Sequence, residues 1–215
     1  MHCMYGDGVI GSQMRRRLLP EAGIPFTTAV LRDLYEADLS PFRMIVFLNA
    51  EYLGEDDLRM IRERACRDNR VVVWCNRPGI VGEDGVDVDR MEKVCGVPFA
   101  SSGMGQRQFA QWKSVVFRDV ASCTSEALRA AGKEAGLHFF SDDTGLRVWS
   151  SPEFLSVHAR DGGPKTLRLK RRVRRVQELF SGRLMGEDCD SFTDEFASPD
   201  TKLYYLECQR GDSNA

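Results

Sequence analysis

Residues 43–79, RMIVFLNAEYLGEDDLRMIRERACRDNRVVVWCNRPG, read as one complete strand–helix–strand unit. Met44 to Leu48 is a continuous apolar run of strand length, the pattern of a parallel strand buried on both faces. Glu55, Asp56 and Asp57 then place three acids in a first helical turn, where they complement the exposed N–H groups and the helix dipole. Leu58, Ile61 and Ala65 fall on one face at helical spacing, and Glu55–Arg59 and Glu63–Arg67 are spaced as i,i+4 pairs on the other. Asp68-Asn69 breaks the helix, and Val71 to Trp74 is a second buried strand that runs into a Cys-Asn-Arg-Pro-Gly turn. Two parallel strands joined by a helix cross over right-handedly, which predicts an α/β fold whose sheet carries helices on both faces.

Around this unit the elements are shorter. Residues 13–22 predict a broken helix ended by Pro20, with Gly23 following. Phe26 to Leu31 predicts a strand, and an acidic loop follows Gly79. A short helix covers Arg90 to Val94, Ser101 to Gln111 is polar and exposed, and Lys113 to Phe117 is a strand. Ser125 to Glu134 is a helix capped by Ser122 or Thr124 and stopped at Gly136. His138 to Phe140 starts another strand. Beyond Gly145 the character changes to short β-like segments at Arg147–Ser150, Phe154–His158, Thr166–Lys170, Val176–Phe180 and Lys202–Glu207, separated by Pro- and Gly-containing turns. The domain organisation read from this is an α/β domain over 1–145, a small β-sandwich-like domain over 146–208 and a disordered tail at 209–215.

The formal net charge is −2, with 42% hydrophobic and 29% charged residues, ordinary for a globular protein and without a global pull toward nucleic acid. No apolar run approaches the roughly 20 residues that span a bilayer, and the N-terminus shows no secretory h-region. Seven cysteines, an odd number with no C-x-x-C pair, predict reduced thiols in a cytoplasm and neither a disulfide framework nor a zinc site.

Cys75 stands at the C-terminal end of a parallel strand, where open α/β sheets place their sites. A nucleophile there needs a tight elbow with small neighbours and a base in reach. Its neighbours are the large Trp74 and Asn76, and the candidate bases His138 and His158 lack a carboxylate two residues on. A buried structural thiol is the preferred reading, with a thiol-dependent hydrolase or amidotransferase-like enzyme as the alternative. Asn49, Asn76 and Arg77 lie along the same sheet edge and are candidates for binding a carbohydrate or anion. The acidic loop (Glu83, Asp84, Asp87, Asp89) lacks the pattern of an EF-hand and reads as a solvated turn. The run KTLRLKRRVRR holds seven cations in eleven residues, but Leu167, Leu169, Val173 and Val176 interleave it as in a strand with one solvated face, and no stacking aromatics accompany it. No phosphate-binding loop, metal site or cofactor site can be written.

The segments AGIPFTTAVLRDL, 43–99 and AGLHFF resemble the class I glutamine-amidotransferase-like domain of large glycoside hydrolases, the beta-galactosidase trimerisation domain of family forty-two enzymes. The later stretch from Val148 resembles the small β-domain that follows it, through His158-Ala159, Gly162-Gly163, Leu167–Leu169 and Val176–Leu179. The resemblance implies a flavodoxin-like parallel sheet followed by an antiparallel β-domain. It also implies a non-catalytic accessory or oligomerisation role in carbohydrate metabolism, with self-association or a partner catalytic barrel and no cofactor or active site in this chain. The first strand of such a domain finds a poor match in MHCMYGDGVIG, and the catalytic barrel is not part of these 215 residues. The expectation is therefore the C-terminal part of a longer glycosidase, or a remnant of one.

Overall fold

A computed structural model describes residues 9–100 and 102–207. His2, Cys3, most of the segment MHCMYGDGVIG, Cys208 and the tail expected at 209–215 lie outside the described residues. The chain divides into two compact units, the first formed by residues up to Leu18 with Phe26–Leu137, the second by Leu19–Pro25 with the residues from His138 on.

In the first unit, α1 (Val9–Gln13) runs into a π-helical turn, Met14–Leu18; α2 (Leu19–Glu21) belongs to the second unit. Strand β1 (Met44–Phe47), helix α3 (Glu55–Arg64) and β2 (Arg70–Cys75) are the strand–helix–strand unit read from 43–79. The hairpin β3 (Val81–Gly82) and β4 (Gly85–Val86), helix α4 (Arg90–Cys95), the strands β5 (Met104–Gln108) and β6 (Trp112–Phe117), and helix α5 (Ser125–Glu134) complete it. The sheet order is β1-β2-β6-β5. β1, β2 and β6 are parallel and β5 is an antiparallel edge, so the sheet is mixed where an all-parallel one was expected. Ile45, Phe47, Val72, Trp74 and Val116 share a core with Leu58 and Ile61 of α3 and Met91 and Val94 of α4. Register places Phe47 beside Trp74, and their rings stack at 4.6 Å. On the opposite face α5 packs on β2.

Several local readings change. Phe26–Val30 pairs with no strand; Phe26 and Val30 are exposed, and the chain turns into a 3-10 helix at Leu31–Tyr35. Asp33 explains the turn, because its carboxylate accepts from the Val30 amide at 2.9 Å. Arg64 at the end of α3 then donates to the carbonyls of Leu34, Tyr35 and Ala37, satisfying that turn from outside. The expected i,i+4 pairs on α3 are replaced: Arg59 pairs with Asp56 at 2.6 Å, Glu55 with Arg90 at 2.8 Å, and Arg67 with Asp68 at 3.2 Å. The helix ends earlier than expected, at Arg64, and Asp68-Asn69, both at positive φ, form the turn into β2. Thr124 caps α5 by accepting from the Ala127 amide, and Gly136 ends it at φ 71°. His138–Phe140 is not a strand, and Met104–Gln108, read only as exposed polar chain, is one.

The second unit is a single five-stranded antiparallel sheet, ordered β10-β9-β11-β8-β7, in place of the two sheets of a sandwich. Its strands are β7 (Leu146–Ser150), β8 (Phe154–Ala159), β9 (Gly163–Glu178), β10 (Leu184–Phe196) and β11 (Asp200–Glu207). The segment expected at 166–170 and the first three residues of the one expected at 176–180 belong to the one long strand β9, which ends at Glu178, and β10 is its unforeseen partner. Leu155, Val157, Leu167, Val173, Val176, Phe192 and Tyr204 form the core of this unit.

Candidate functional site

Just past the ends of β1 and β2 the chain carries an asparagine held in the left-handed region, Asn49 at φ 52° and Asn76 at φ 69°. Asparagine tolerates that conformation better than most residues, which suits it to ending a buried strand sharply. The two side chains meet, Asn76 Nδ2 donating to Asn49 Oδ1. The Asn76 amide donates to the Phe117 carbonyl at 2.8 Å and Gly79 to the Ala50 carbonyl at 2.8 Å. The strand ends are thereby laced to one another. Arg77 is exposed, its guanidinium 5.6 Å from the centre of the Phe99 ring. Of the three residues proposed to bind a sugar or anion, two are therefore joined to each other and the third faces an aromatic ring.

Cys75 is 1% exposed. It shares a hydrogen bond with the thiol of Cys123, itself buried in the turn before α5. That bond, then burial, pushes the Cys75 thiol well above its ordinary pKa, so the neutral thiol is the form present at neutral pH. No described residue of the first unit is a histidine. His138 donates through Nε2 to the Arg168 carbonyl at 2.9 Å, and His158 Nδ1 meets Thr201 Oγ1 at 2.9 Å, both within the second unit. The arrangement holds a protonated, enclosed thiol with no histidine among the described residues of its own unit. Sequence spacing had no means of finding Cys123, which approaches Cys75 only through the packing of α5 on β2.

The acidic loop forms the β3–β4 hairpin and the turn after it, where Asp87 accepts from the Asp89 amide at 2.9 Å. Among the described residues no group of three or more His, Cys, Asp or Glu side chains could hold a metal ion. The basic run lies on β9, alternating exposed cations with the buried Leu167, Leu169 and Val173. Several of those cations have acidic partners: Arg168 with Asp142 at 2.6 Å, Arg172 with Asp188 at 3.1 Å and Arg174 with Glu207 at 3.1 Å.

Sequence reading also missed a buried polar cluster in the second unit. The Asp194 side chain is 1% exposed and accepts from Arg183, from Lys202 at 2.8 Å, from the Tyr204 hydroxyl at 3.0 Å and from the Glu195 amide at 2.8 Å. Burial alone would raise its pKa; the bonds from Lys202, Arg183 and Tyr204 outweigh burial and hold it below the ordinary carboxylate value. Every oxygen is engaged, and the cluster ties β10 to β11 as a structural pin. No described helix is long and apolar enough to cross a membrane.

No family model and no curated protein matches the sequence. The fold is similar to solved β-galactosidases. The enzyme from Bacillus circulans sp. alkalophilus superimposes with a TM-score of 0.58 at 11% identity, over 88% of this chain and 36% of that one. A catalytic mutant of the GH42 β-galactosidase from G. stearothermophilus gives 0.60 at 11% identity, over 94% and 38%. The β-galactosidase from the Antarctic haloarchaeon Halorubrum lacusprofundi gives 0.56 at 10%, over 89% and 35%. The chain thus matches a portion of large glycoside hydrolases and spans little more than a third of their length.

Proposed function

We propose that this chain is a non-catalytic accessory and assembly region of a glycoside-hydrolase-type protein, working with its thiols reduced, as in a cytoplasm. The observation that carries the reading is the fold likeness to family 42 β-galactosidases, which runs through 88–94% of this chain yet takes up only 36–38% of theirs. In its finer form, the first unit is an amidotransferase-like scaffold. The parallel β1-β2-β6 arrangement supports this, and the enclosure of Cys75 supports a scaffold without the amidotransferase chemistry.

An assembly role needs a surface, and the β3–β4 hairpin offers one. Val86 is 73% exposed, Tyr52 is 60% exposed and bridged to β3 through Val81, and Val88 is 42% exposed. Apolar side chains presented together gain roughly 25 cal/mol for each Å² that a partner removes from water. The partner is a second copy or a catalytic barrel. Size-exclusion chromatography with light scattering on the full chain at micromolar concentration tests self-assembly. A mass above the monomer, reduced to the monomer by Val86→Glu with Tyr52→Ser, is the expected outcome; a strictly monomeric wild-type chain counts against it.

The alternative, a thiol-dependent enzyme at Cys75, requires the thiol to reach solvent and a base. A carbohydrate or anion site at Asn49, Asn76 and Arg77 would find one amide donor and one amide acceptor already joined in the Asn49–Asn76 bond. Neither gains support from the geometry.

A further inference from the structure

Strand alternation leaves one face of the second unit's sheet outside its core. Two adjacent rows of side chains cross that face, Trp149–Ser156–Leu203 and Phe154–Tyr205–Gln177. None of the six is charged, in a chain where 29% of residues are. Charge resumes in the rows on either side, with Arg147 on one and the Arg175–Glu207 pairing on the other. Trp149 is 55% and Phe154 41% exposed. The Phe154 and Tyr205 rings lie 5.6 Å apart on neighbouring strands, and Trp149 sits on the next strand over, diagonal to Phe154.

We propose that this face is a binding platform for a neutral oligosaccharide. The apolar C–H faces of pyranose rings would stack on Trp149 and on the Phe154–Tyr205 pair, while Ser156 beside Trp149 and the Oε1 of Gln177, at the end of the second row with its Nε2 on the Gly182 carbonyl, bond to sugar hydroxyls. Rigid aromatic side chains supply large contact area at small entropic cost. Neighbouring strands are about 4.8 Å apart, close to the span of one sugar ring, so successive rings can rest on successive strands. The absence of charge removes what a nucleic acid or another anion needs. The two rows cover about 200 Å² of sheet, well short of the roughly 800 Å² per partner that a stable protein interface buries. A thin ligand fits that area better than a second copy does. The platform goes beyond the assembly reading and belongs to the other unit, so either can fail without the other.

Isothermal titration of the full chain with galactohexaose, cellohexaose and maltohexaose tests it, together with tryptophan emission. Saturable binding of at least one sugar is expected, weakened about tenfold or more by Trp149→Ala and by Phe154→Ala, each with a wild-type melting temperature. Trp149→Phe should keep most of the affinity yet lose the emission change, since Trp74 lies in the core of the first unit and Trp112, also of that unit, stacks on Phe109. Binding of none of the three sugars, or binding unchanged in Trp149→Ala, overturns the proposal. So does conversion of an oligomer to a monomer by Trp149→Ala, which would make the face an interface between copies.

Discussion

The Cys75 thiol meets Cys123 where a catalytic thiol would meet solvent and a base, and the same enclosure governs its neighbours. Burial pushes Cys66 up to about 12 and Cys95 up to about 11, while Cys189 is only half-buried. Iodoacetamide at neutral pH, read by peptide mass spectrometry, should therefore modify Cys189 ahead of the other four described cysteines. Labelling of Cys75 first would revive the thiol-enzyme reading. Asp194 poses the complementary case, a buried charge with every bond made. Asp194→Asn leaves Lys202 and Arg183 facing a neutral group, which should cost about 3 kcal/mol in urea unfolding. Its folded pKa lies below the ordinary 3.8, so its contribution is full above that value and lost as pH falls through the depressed one. The gap between wild type and variant should therefore close under acid; a gap that stays constant into strong acid would contradict an electrostatic origin.

Among the elements, the turn after β2 depends on a glycine. Gly79 has φ +68°, and a Cβ there would stand 2.6 Å from Val94 Cγ2 on α4. Gly136 has φ +71° with nothing within 4 Å. Gly136→Ala should cost only the backbone term of about 1 kcal/mol, and Gly79→Ala about 2 kcal/mol or more, because β-branched Val94 has little freedom to turn aside. Equal losses in chemical denaturation would show that the contact is not tight. Elements of this unit were legible where burial is two-sided: Met44–Phe47 and Arg70–Cys75 are buried throughout, and such runs admit few readings. Phe26–Val30 (FTTAV) also has β-forming side chains, but no described strand lies alongside it, and Asp33 and Arg64 make a turn more favourable. The β9–β10 hairpin was harder still. Arg171-Arg172 and Arg174-Arg175 interrupt its alternation, and β10 is largely exposed, so its polar sequence carries little apolar signal.

For the whole molecule, an assembly role makes stability depend on protein concentration. If copies associate through the β3–β4 hairpin, the melting temperature of the wild-type chain should rise with concentration, and that of Val86→Glu/Tyr52→Ser should not. A wild-type melting temperature independent of concentration would speak for a partner other than a second copy. Local periodicity and end signals were enough to establish the strand–helix–strand unit, the capped helix at Ser125–Glu134 and the β character beyond Gly145. They act over a few residues, within reach of any reading along the chain. Which strands pair, that β5 joins its sheet antiparallel, that Cys123 closes over Cys75 and that Trp149, Phe154 and Tyr205 share one exposed face were settled by contacts between residues far apart in sequence. Those contacts depend on how buried faces fit against one another, a property of the packed chain that no short stretch carries.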